Sequence, residues 1–185
     1  MKTPKGSIYI STKDYFKSQE AFDLVLDSSK EILITTPQPA PEHLASYYES
    51  QAYISHSNTQ KGLVPFLYAM VQKWSLKNKR NLVNKLSNQR GTLLDIGAGT
   101  GAFFEIIKQN SWEVFGVEPN KKAREIAAKK NISLHQSIEE FKGQQFDVVT
   151  LWHVLEHLPD LEKTITAIQK LLKPKGVLIV AVPNY

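Results

Sequence analysis

The sequence lacks cysteine, and it has no long apolar run. Without a thiol, the 185-residue chain forms no disulfide, no cysteine-ligated metal site and no cysteine nucleophile. No stretch approaches the roughly 18 apolar residues of a membrane span, and the N-terminal segment lacks the apolar core of a signal peptide. We therefore expect a cytoplasmic protein with one hydrophobic core and a small appendage.

Acidic residues are also few relative to basic ones, because 23 lysines and arginines face 18 aspartates and glutamates, for a net charge of +5. The basic residues cluster only from Lys77 to Arg90. Apolar residues recur in this segment at helical spacing, which indicates an amphipathic helix with solvated lysines. No aromatic residue interleaves with the charges to stack on bases, so we do not expect a nucleic-acid partner.

The first third of the sequence has short apolar runs and then several prolines. The runs FDLVLD and EILITT, separated by a polar turn, predict a small β-hairpin. Three prolines follow, and helices are expected from Pro41 to about Ser50 and from about Gly62 to Ser87, the second broken near Asn78. We expect a hairpin and helical lid segment over residues 1–60 and a second domain over residues 61–185.

From Gly91 onward, apolar strands alternate with helical segments. The predicted strands are TLLDIG, WEVFGVEP, ISLHQ, FDVVTLW and VLIVAVP. This alternation predicts an α/β fold, a Rossmann-like parallel sheet with helices on both faces. Ligands of such sheets bind beyond the carboxyl ends of the strands. The loops after these strands are therefore the expected site.

The first of these loops, LLDIGAGTGAFF, is rich in glycine. Gly97, Gly99 and Ala102 fit the pattern G-x-G-x-x-G/A, and Glu118 lies 118 − 97 = 21 residues after the first glycine. Glycines let the backbone turn sharply and approach a ligand closely, and a carboxylate after the second strand accepts hydrogen bonds from both ribose hydroxyls. The spacing predicts a nucleoside site.

The identity of the nucleoside depends on the charge near the loop. The glycine spacing also fits a nicotinamide dinucleotide, which would make the chain an oxidoreductase. Asp95, however, would repel a pyrophosphate, whereas it suits a ligand with an ammonium group and a sulfonium. The additional glycine in Thr100-Gly101 points the same way. Both features favour S-adenosylmethionine over NAD.

Four motifs of the sequence resemble those of a known family. LLDIGAGTGAFF, VFGVEPN, FDVVTLWHVLEHLPD and LLKPKGVLIVAVPNY are similar, in this order, to the motifs of class I S-adenosylmethionine-dependent methyltransferases, especially the ubiquinone-biosynthesis O-methyltransferase-like subgroup. The resemblance implies S-adenosylmethionine as cofactor, S-adenosylhomocysteine as product and an unidentified methyl acceptor, which we expect to be a small molecule. A cofactor-binding module without catalysis is the remaining alternative.

The resemblance also implies a strand order and a C-terminal continuation. Similar domains add a helix and an antiparallel hairpin after strand five, whereas this sequence stops at VLIVAVPNY. We therefore expect a truncated five-stranded core in the order 3-2-1-4-5, with little or no methyl transfer. Val177 to Val182 would then form an open edge, through which we expect a homodimer.

The resemblance implies the following cofactor contacts. Asp95 and the loop residues Gly97, Ala98, Gly99, Thr100 and Gly101 would hold the methionine end. Glu118 would bind the ribose, Pro119 and Asn120 would flank the adenine, and Ser137 and Ile138 would cover its other side. For Ser137 there is an equal alternative, in which it only caps the turn containing Glu139 and Glu140.

The string HVLEH, from His153 to His157, matches a zinc peptidase pattern in isolation. Peptidases need it inside a helix, whereas here it directly follows a predicted strand, so we expect a strand-end loop and no metal site. The methyltransferase resemblance places Trp152 and His153 near the methionine part of the cofactor, with His153 or His157 as the general base. The alternative is that Glu156 and His157 only hold the loop together.

Upstream, Tyr53 and His56 are candidates for a lid over the cofactor, since a closing segment would exclude water from the site. Tyr47 and Tyr48 are expected to pack instead. Relatives with a similar N-terminal hairpin often carry a zinc ribbon, but the turn LDSSKE contains no cysteine, so we expect no structural zinc.

Overall fold

The computed structural model describes residues 6–15, 18–27, 32–39, 63–87, 89–108, 111–158 and 160–183. Contacts divide the chain into two compact units, residues 1–56 and 57–185. The predicted helix at Pro41–Ser50 lies outside the described residues. Among those that are described, no helix is both long and apolar enough to cross a bilayer.

The N-terminal unit contains a three-stranded antiparallel sheet in the order β1-β2-β3. Its strands are β1 (Ser7–Lys13), β2 (Ala21–Asp27) and β3 (Ile32–Thr36). The predicted hairpin is confirmed as β2 and β3. The additional strand β1 was not predicted. Its residues are exposed along their whole length, so no buried face marks it in the sequence, and only its pairing with β2 identifies it as a strand.

The second unit begins with a long helix, α1 (Leu63–Leu86). The predicted break near Asn78 is wrong, since the helix continues through this residue, which lies on its exposed side. Strands and helices then alternate: β4 (Arg90–Ile96), α2 (Ala102–Ile107), β5 (Ser111–Val117), α3 (Lys121–Ala128), β6 (Phe146–Trp152), α4 (Leu161–Leu171) and β7 (Leu172–Ala181). Two short 3₁₀ turns cover Ile138–Phe141 and Leu155–His157.

The strands β5-β4-β6-β7 form a parallel sheet in this order. The predicted third strand is reduced to a single bridge between Val117 and His135. In this bridge the Glu118 N–H donates to the His135 carbonyl at 2.9 Å, and the His135 N–H donates to the Gly116 carbonyl at 2.9 Å. The α/β fold class and the strand order are therefore confirmed, but the sheet has four strands instead of the expected five, with one bridge at the position of strand three.

The two faces of the sheet bury alternate residues of the central strand β4. Leu94 and Ile96 join a core cluster with Ile168 of α4. Leu93 joins a separate cluster with Val83 of α1. Because side chains alternate along a strand, Asp95 shares the Leu93 face, which is the face that α1 covers.

Candidate functional site

The glycine loop connects β4 to α2 at the carboxyl end of the sheet. The N–H groups of Gly97 and Ala98 both donate to the Val117 carbonyl, at 2.8 and 2.9 Å. Gly101 precedes the first residue of α2 in the left-handed conformation, with φ of 77°. These contacts fix the loop against the end of β5, next to the position of Glu118.

Two glycines of this loop are required for different reasons. Gly97 has φ of +77°, and a Cβ there would lie 2.3 Å from Val154 Cγ2. Gly99 has φ of +55°, but a Cβ there would meet nothing within 4 Å. Gly97 therefore permits contact with the loop after β6, whereas Gly99 leaves open space on the side where a ligand would approach.

Glu118 is buried, with 3% of its surface exposed. Its Oε2 accepts the Gly99 N–H at 2.9 Å, and its Oε1 accepts the Asn120 N–H at 2.8 Å. The carboxylate thus joins the glycine loop to the segment after β5. It lies where the sequence spacing places a group that binds ribose hydroxyls.

Asp95 is a carboxyl group inside the central strand of the sheet, only 2% exposed. Its Oδ1 accepts the Thr150 hydroxyl at 2.7 Å. Burial raises the pKa of Asp95 to about 7, while Thr150 and Lys79 act against the shift and Glu118 adds to it. A carboxyl group here is costly for the fold, and such a cost is typical of functional sites.

Lys79 of α1 is a site residue that sequence reasoning missed. Its Nζ lies 4.9 Å from the centroid of the Trp152 ring. Burial lowers the pKa of Lys79, and the Asp95 carboxylate acts in the opposite direction. The expectation that the lysines of this segment are all solvated is therefore wrong for Lys79, because α1 packs on the sheet face that carries Asp95.

Trp152, the last residue of β6, lies against Lys79 at this end of the sheet. Its ring meets Phe103 edge-on, with centroids 6.0 Å apart. Its Nε1 is buried and has no hydrogen-bond partner among the described residues. A buried donor without a partner is unusual, which marks Trp152 as a residue of interest at this end of the sheet.

The string HVLEH forms the loop after β6 and one 3₁₀ turn, as expected, and is not part of an α-helix. His153 has φ of +59°, and its N–H donates to the Ala181 carbonyl at 2.8 Å. His153 Nδ1 and His157 Nε2 each lie 3.9 Å from Glu156 Oε1, which is longer than a hydrogen bond. The histidine side chains are 60% and 51% exposed, so both are open to a substrate.

The segment that was expected to enclose the adenine is held by local contacts. The Ser137 hydroxyl donates to Glu139 Oε2 at 2.6 Å, and its N–H donates to Glu140 Oε1 at 3.2 Å. These contacts suit the capping role, and Ile138 packs against the core. On the other side Pro119 is exposed, and its carbonyl accepts from the Arg124 guanidinium at 2.8 Å.

Tyr53 and His56 lie outside the described residues, so their lid role stays a prediction. Within the described part of the chain, no group of three or more His, Cys, Asp or Glu side chains is arranged to hold a metal ion.

Comparison with known proteins agrees with this geometry. A family model described as "Methyltransferase domain" matches residues 71–185. The ubiquinone biosynthesis O-methyltransferase of Pseudomonas paraeruginosa is 33% identical over 104 residues, which are 50% of this chain and 44% of that protein. The chain thus spans a little under half the length of this relative.

Solved structures share the fold at lower identity. Magnesium protoporphyrin IX methyltransferase from Synechocystis, solved with bound S-adenosylmethionine, has a TM-score of 0.57 at 16% identity and covers 74% of each chain. The amino pentose methyltransferase CalS10 from Micromonospora echinaspora has a TM-score of 0.55 at 22% identity, covering 70% of this chain and 60% of that one. With the family model matching well over half of its residues, the chain belongs to the methyltransferase domain family.

Proposed function

We propose that this chain is the cofactor-binding part of an S-adenosylmethionine-dependent methyltransferase. The observation that carries the proposal is the buried Asp95 beside the glycine loop, at the carboxyl end of the central strand. A pyrophosphate would meet repulsion there, whereas an ammonium or sulfonium would gain from a carboxylate in a low dielectric. Membership in the methyltransferase family supports the same cofactor.

The residues at the site match the separate parts of this cofactor. Asp95 suits the ammonium, and Lys79 suits the carboxylate of the methionine end. Glu118 suits the ribose hydroxyls. When bound, the cofactor supplies a methyl group on a positively charged sulfur, and the role of the protein is to bind and orient it and to exclude water.

The acceptor is proposed to be a small molecule. The loop after β6 presents His153 and His157 with open side chains, beside the position proposed for the methionine end. An imidazole in this position takes up a proton from an acceptor hydroxyl or amine as transfer proceeds. The named relative acts in ubiquinone biosynthesis, and the acceptor of this chain is to be found by screening metabolite pools for cofactor turnover.

Calorimetry tests the cofactor directly. The chain should bind S-adenosylhomocysteine and not NAD. Glu118→Ala should weaken this binding by about 1–3 kcal/mol, since it removes hydrogen bonds to a charged acceptor. Glu113→Ala is the matched control, because Glu113 is exposed on β5, the strand that ends just before Glu118. Binding of NAD alone, or equal affinity of the Glu118→Ala variant, would contradict the proposal.

We also propose self-association through β7. Among the described residues this strand pairs only with β6, and its alternate residues Leu178 and Val180 are exposed. An open apolar edge favours pairing between copies. Sedimentation should show a dimer that Val180→Lys dissociates and Val71→Lys, on α1, does not. A monomer at all concentrations, or dissociation only by the second variant, argues against this edge.

A further inference from the structure

The outward side of α1 has a composition unlike that of the other helices. The helix carries five basic residues and no acidic one, namely Lys73, Lys77, Lys79, Arg80 and Lys85. Lys79 faces the site, whereas Lys73, Lys77 and Lys85 are exposed. The structure gives these three lysines no ion pair with any described carboxylate, so their charge is presented to the surroundings.

Large apolar side chains lie on the same side. Met70, Val71 and Trp74 are exposed, and Trp74 has 67% of its surface open. Residues 70 and 74 are one helical turn apart, and Lys73 and Lys77 flank them on the neighbouring positions. We name this set of five residues the α1 outer face.

The orientation of α1 is fixed by its other side. Val83 is fully buried and Leu76 partly so, in the cluster with Leu93 of the sheet. Asn84 also accepts the Trp112 indole N–H at 3.1 Å. Because these contacts hold the helix against the sheet, the apolar side chains on the outer face do not turn inward without unpacking the core.

We propose that the α1 outer face docks on an anionic lipid surface. Lysines attract the headgroups, while Trp, Met and Val enter the boundary between headgroups and acyl chains. A nucleic acid would also attract the lysines, but Met70 and Val71 would gain nothing from phosphates. The combination of unpaired positive charge and exposed apolar side chains therefore fits a bilayer surface better than a polyanion.

Vesicle binding of the whole chain tests this surface without cofactor or acceptor. Trp112 is buried and Trp152 half-buried, so a blue shift of emission reports chiefly on Trp74. We expect the shift and co-sedimentation with vesicles containing about 30% phosphatidylglycerol, and much less binding to phosphatidylcholine alone or at high salt. Equal binding to vesicles with phosphatidylglycerol and to phosphatidylcholine alone would show that the lysine charges do not drive docking, and would overturn the proposal.

Two pairs of variants locate the surface. Trp74→Ser should lower the bound fraction by about tenfold, whereas Tyr15→Ser, at a residue of the other unit that is 73% exposed, should leave it unchanged. Lys73→Gln with Lys77→Gln should weaken binding to anionic vesicles, and Lys129→Gln with Lys170→Gln, which removes the same charge elsewhere, should not. Absence of vesicle binding, equal losses within either pair, or tighter binding to duplex RNA than to anionic vesicles would overturn the proposal.

Discussion

The loops after β4 and β6 begin at the carboxyl ends of adjacent strands, yet they differ in almost every physical respect. The loop after β4 adjoins two buried carboxyl groups, Asp95 and Glu118, each held by short hydrogen bonds. The loop after β6 presents two histidines to the surroundings, with no short contact between them and Glu156. One loop is internal and preorganised, and the other is open.

From this difference we expect the β4 loop to recognise the cofactor and the β6 loop to recognise the acceptor. A buried charge needs a specific partner, so the β4 loop accepts few ligands. An exposed side chain imposes no such requirement, so we expect the β6 loop to be less selective. Changes in the β4 loop should therefore alter cofactor affinity, and changes in the β6 loop should leave it intact.

The largest effect on cofactor affinity should come from Gly97, where the two loops touch. In Gly97→Ala the new Cβ would lie 2.3 Å from Val154, and φ of +77° is strained for alanine. We expect affinity for S-adenosylhomocysteine to fall about 10- to 100-fold, equivalent to about 1–3 kcal/mol of strain. Calorimetry measures the loss of affinity, and urea unfolding measures the strain in the fold.

Gly143→Ala is the matched control, because Gly143 also has a positive φ, +89°, its Cβ would meet nothing within 4 Å, and it lies outside the glycine loop. It should cost the fold about 1 kcal/mol from its φ alone. Val154→Ala should partly rescue Gly97→Ala, since it removes the atom that the new Cβ would meet. Equal losses in the two glycine variants, without rescue, would show that the loops are not coupled at this contact.

Lys79→Met should have the next largest effect. The variant keeps the apolar stem over Trp152 and removes the charge proposed to meet the methionine carboxylate. We expect about a tenfold loss of affinity, equivalent to about 1.4 kcal/mol. Lys77→Met, at an exposed position of the same helix, should change little.

A ligand without the carboxylate sharpens this prediction. Wild type should discriminate between S-adenosylhomocysteine and its decarboxylated analogue, and Lys79→Met should not. If the variant still discriminates as wild type does, Lys79 does not bind the carboxylate.

Asp95→Asn should change the pH dependence more than the affinity itself. Because its pKa is raised to about 7, the folded state favours the protonated carboxyl. The stability that this preference contributes is complete below the ordinary value of 3.8 and is lost as pH rises through about 7. Urea unfolding across this range should show that loss in wild type and not in Asp95→Asn.

Binding of a ligand through its ammonium group should show the opposite trend. As pH rises through about 7, Asp95 ionises, and affinity for S-adenosylhomocysteine should rise about fivefold in wild type. The ligand amine titrates identically in experiments with wild type and with Asp95→Asn. The difference between their pH profiles of affinity therefore reports on Asp95. If wild type and Asp95→Asn show the same pH dependence of affinity, Asp95 does not bind the ligand.

The smallest effect on cofactor affinity should come from the β6 loop. The double variant His153→Ala, His157→Ala should bind S-adenosylhomocysteine within about twofold of wild type. Once an acceptor is found, turnover should fall by about 10²–10⁴ if either histidine is the general base. A large loss of affinity would break the contrast between the loops, and full turnover would exclude histidine catalysis.

The sequence predicted what depends on local pattern. The alternation of apolar strands and helical segments predicted the α/β fold. The spacing of Gly97 and Glu118 predicted that the loop after β4 meets the end of β5, because the turn and the parallel pairing follow from short-range rules. Lys79 and Thr150 were missed, since both reach Asp95 only through tertiary packing. Thr150 lies 55 residues from Asp95. Within a row of similar lysines, no local signal identifies the one that is buried.

His153 has a consequence for how this domain responds to selection. Its φ of +59° belongs to the left-handed region, which glycine adopts without steric cost. Holding histidine there costs the fold about 1 kcal/mol, so His153→Gly should raise the free energy of unfolding. Directed evolution for thermal stability alone should replace this residue, whereas evolution for turnover should keep it, and the two libraries would thereby diverge at position 153.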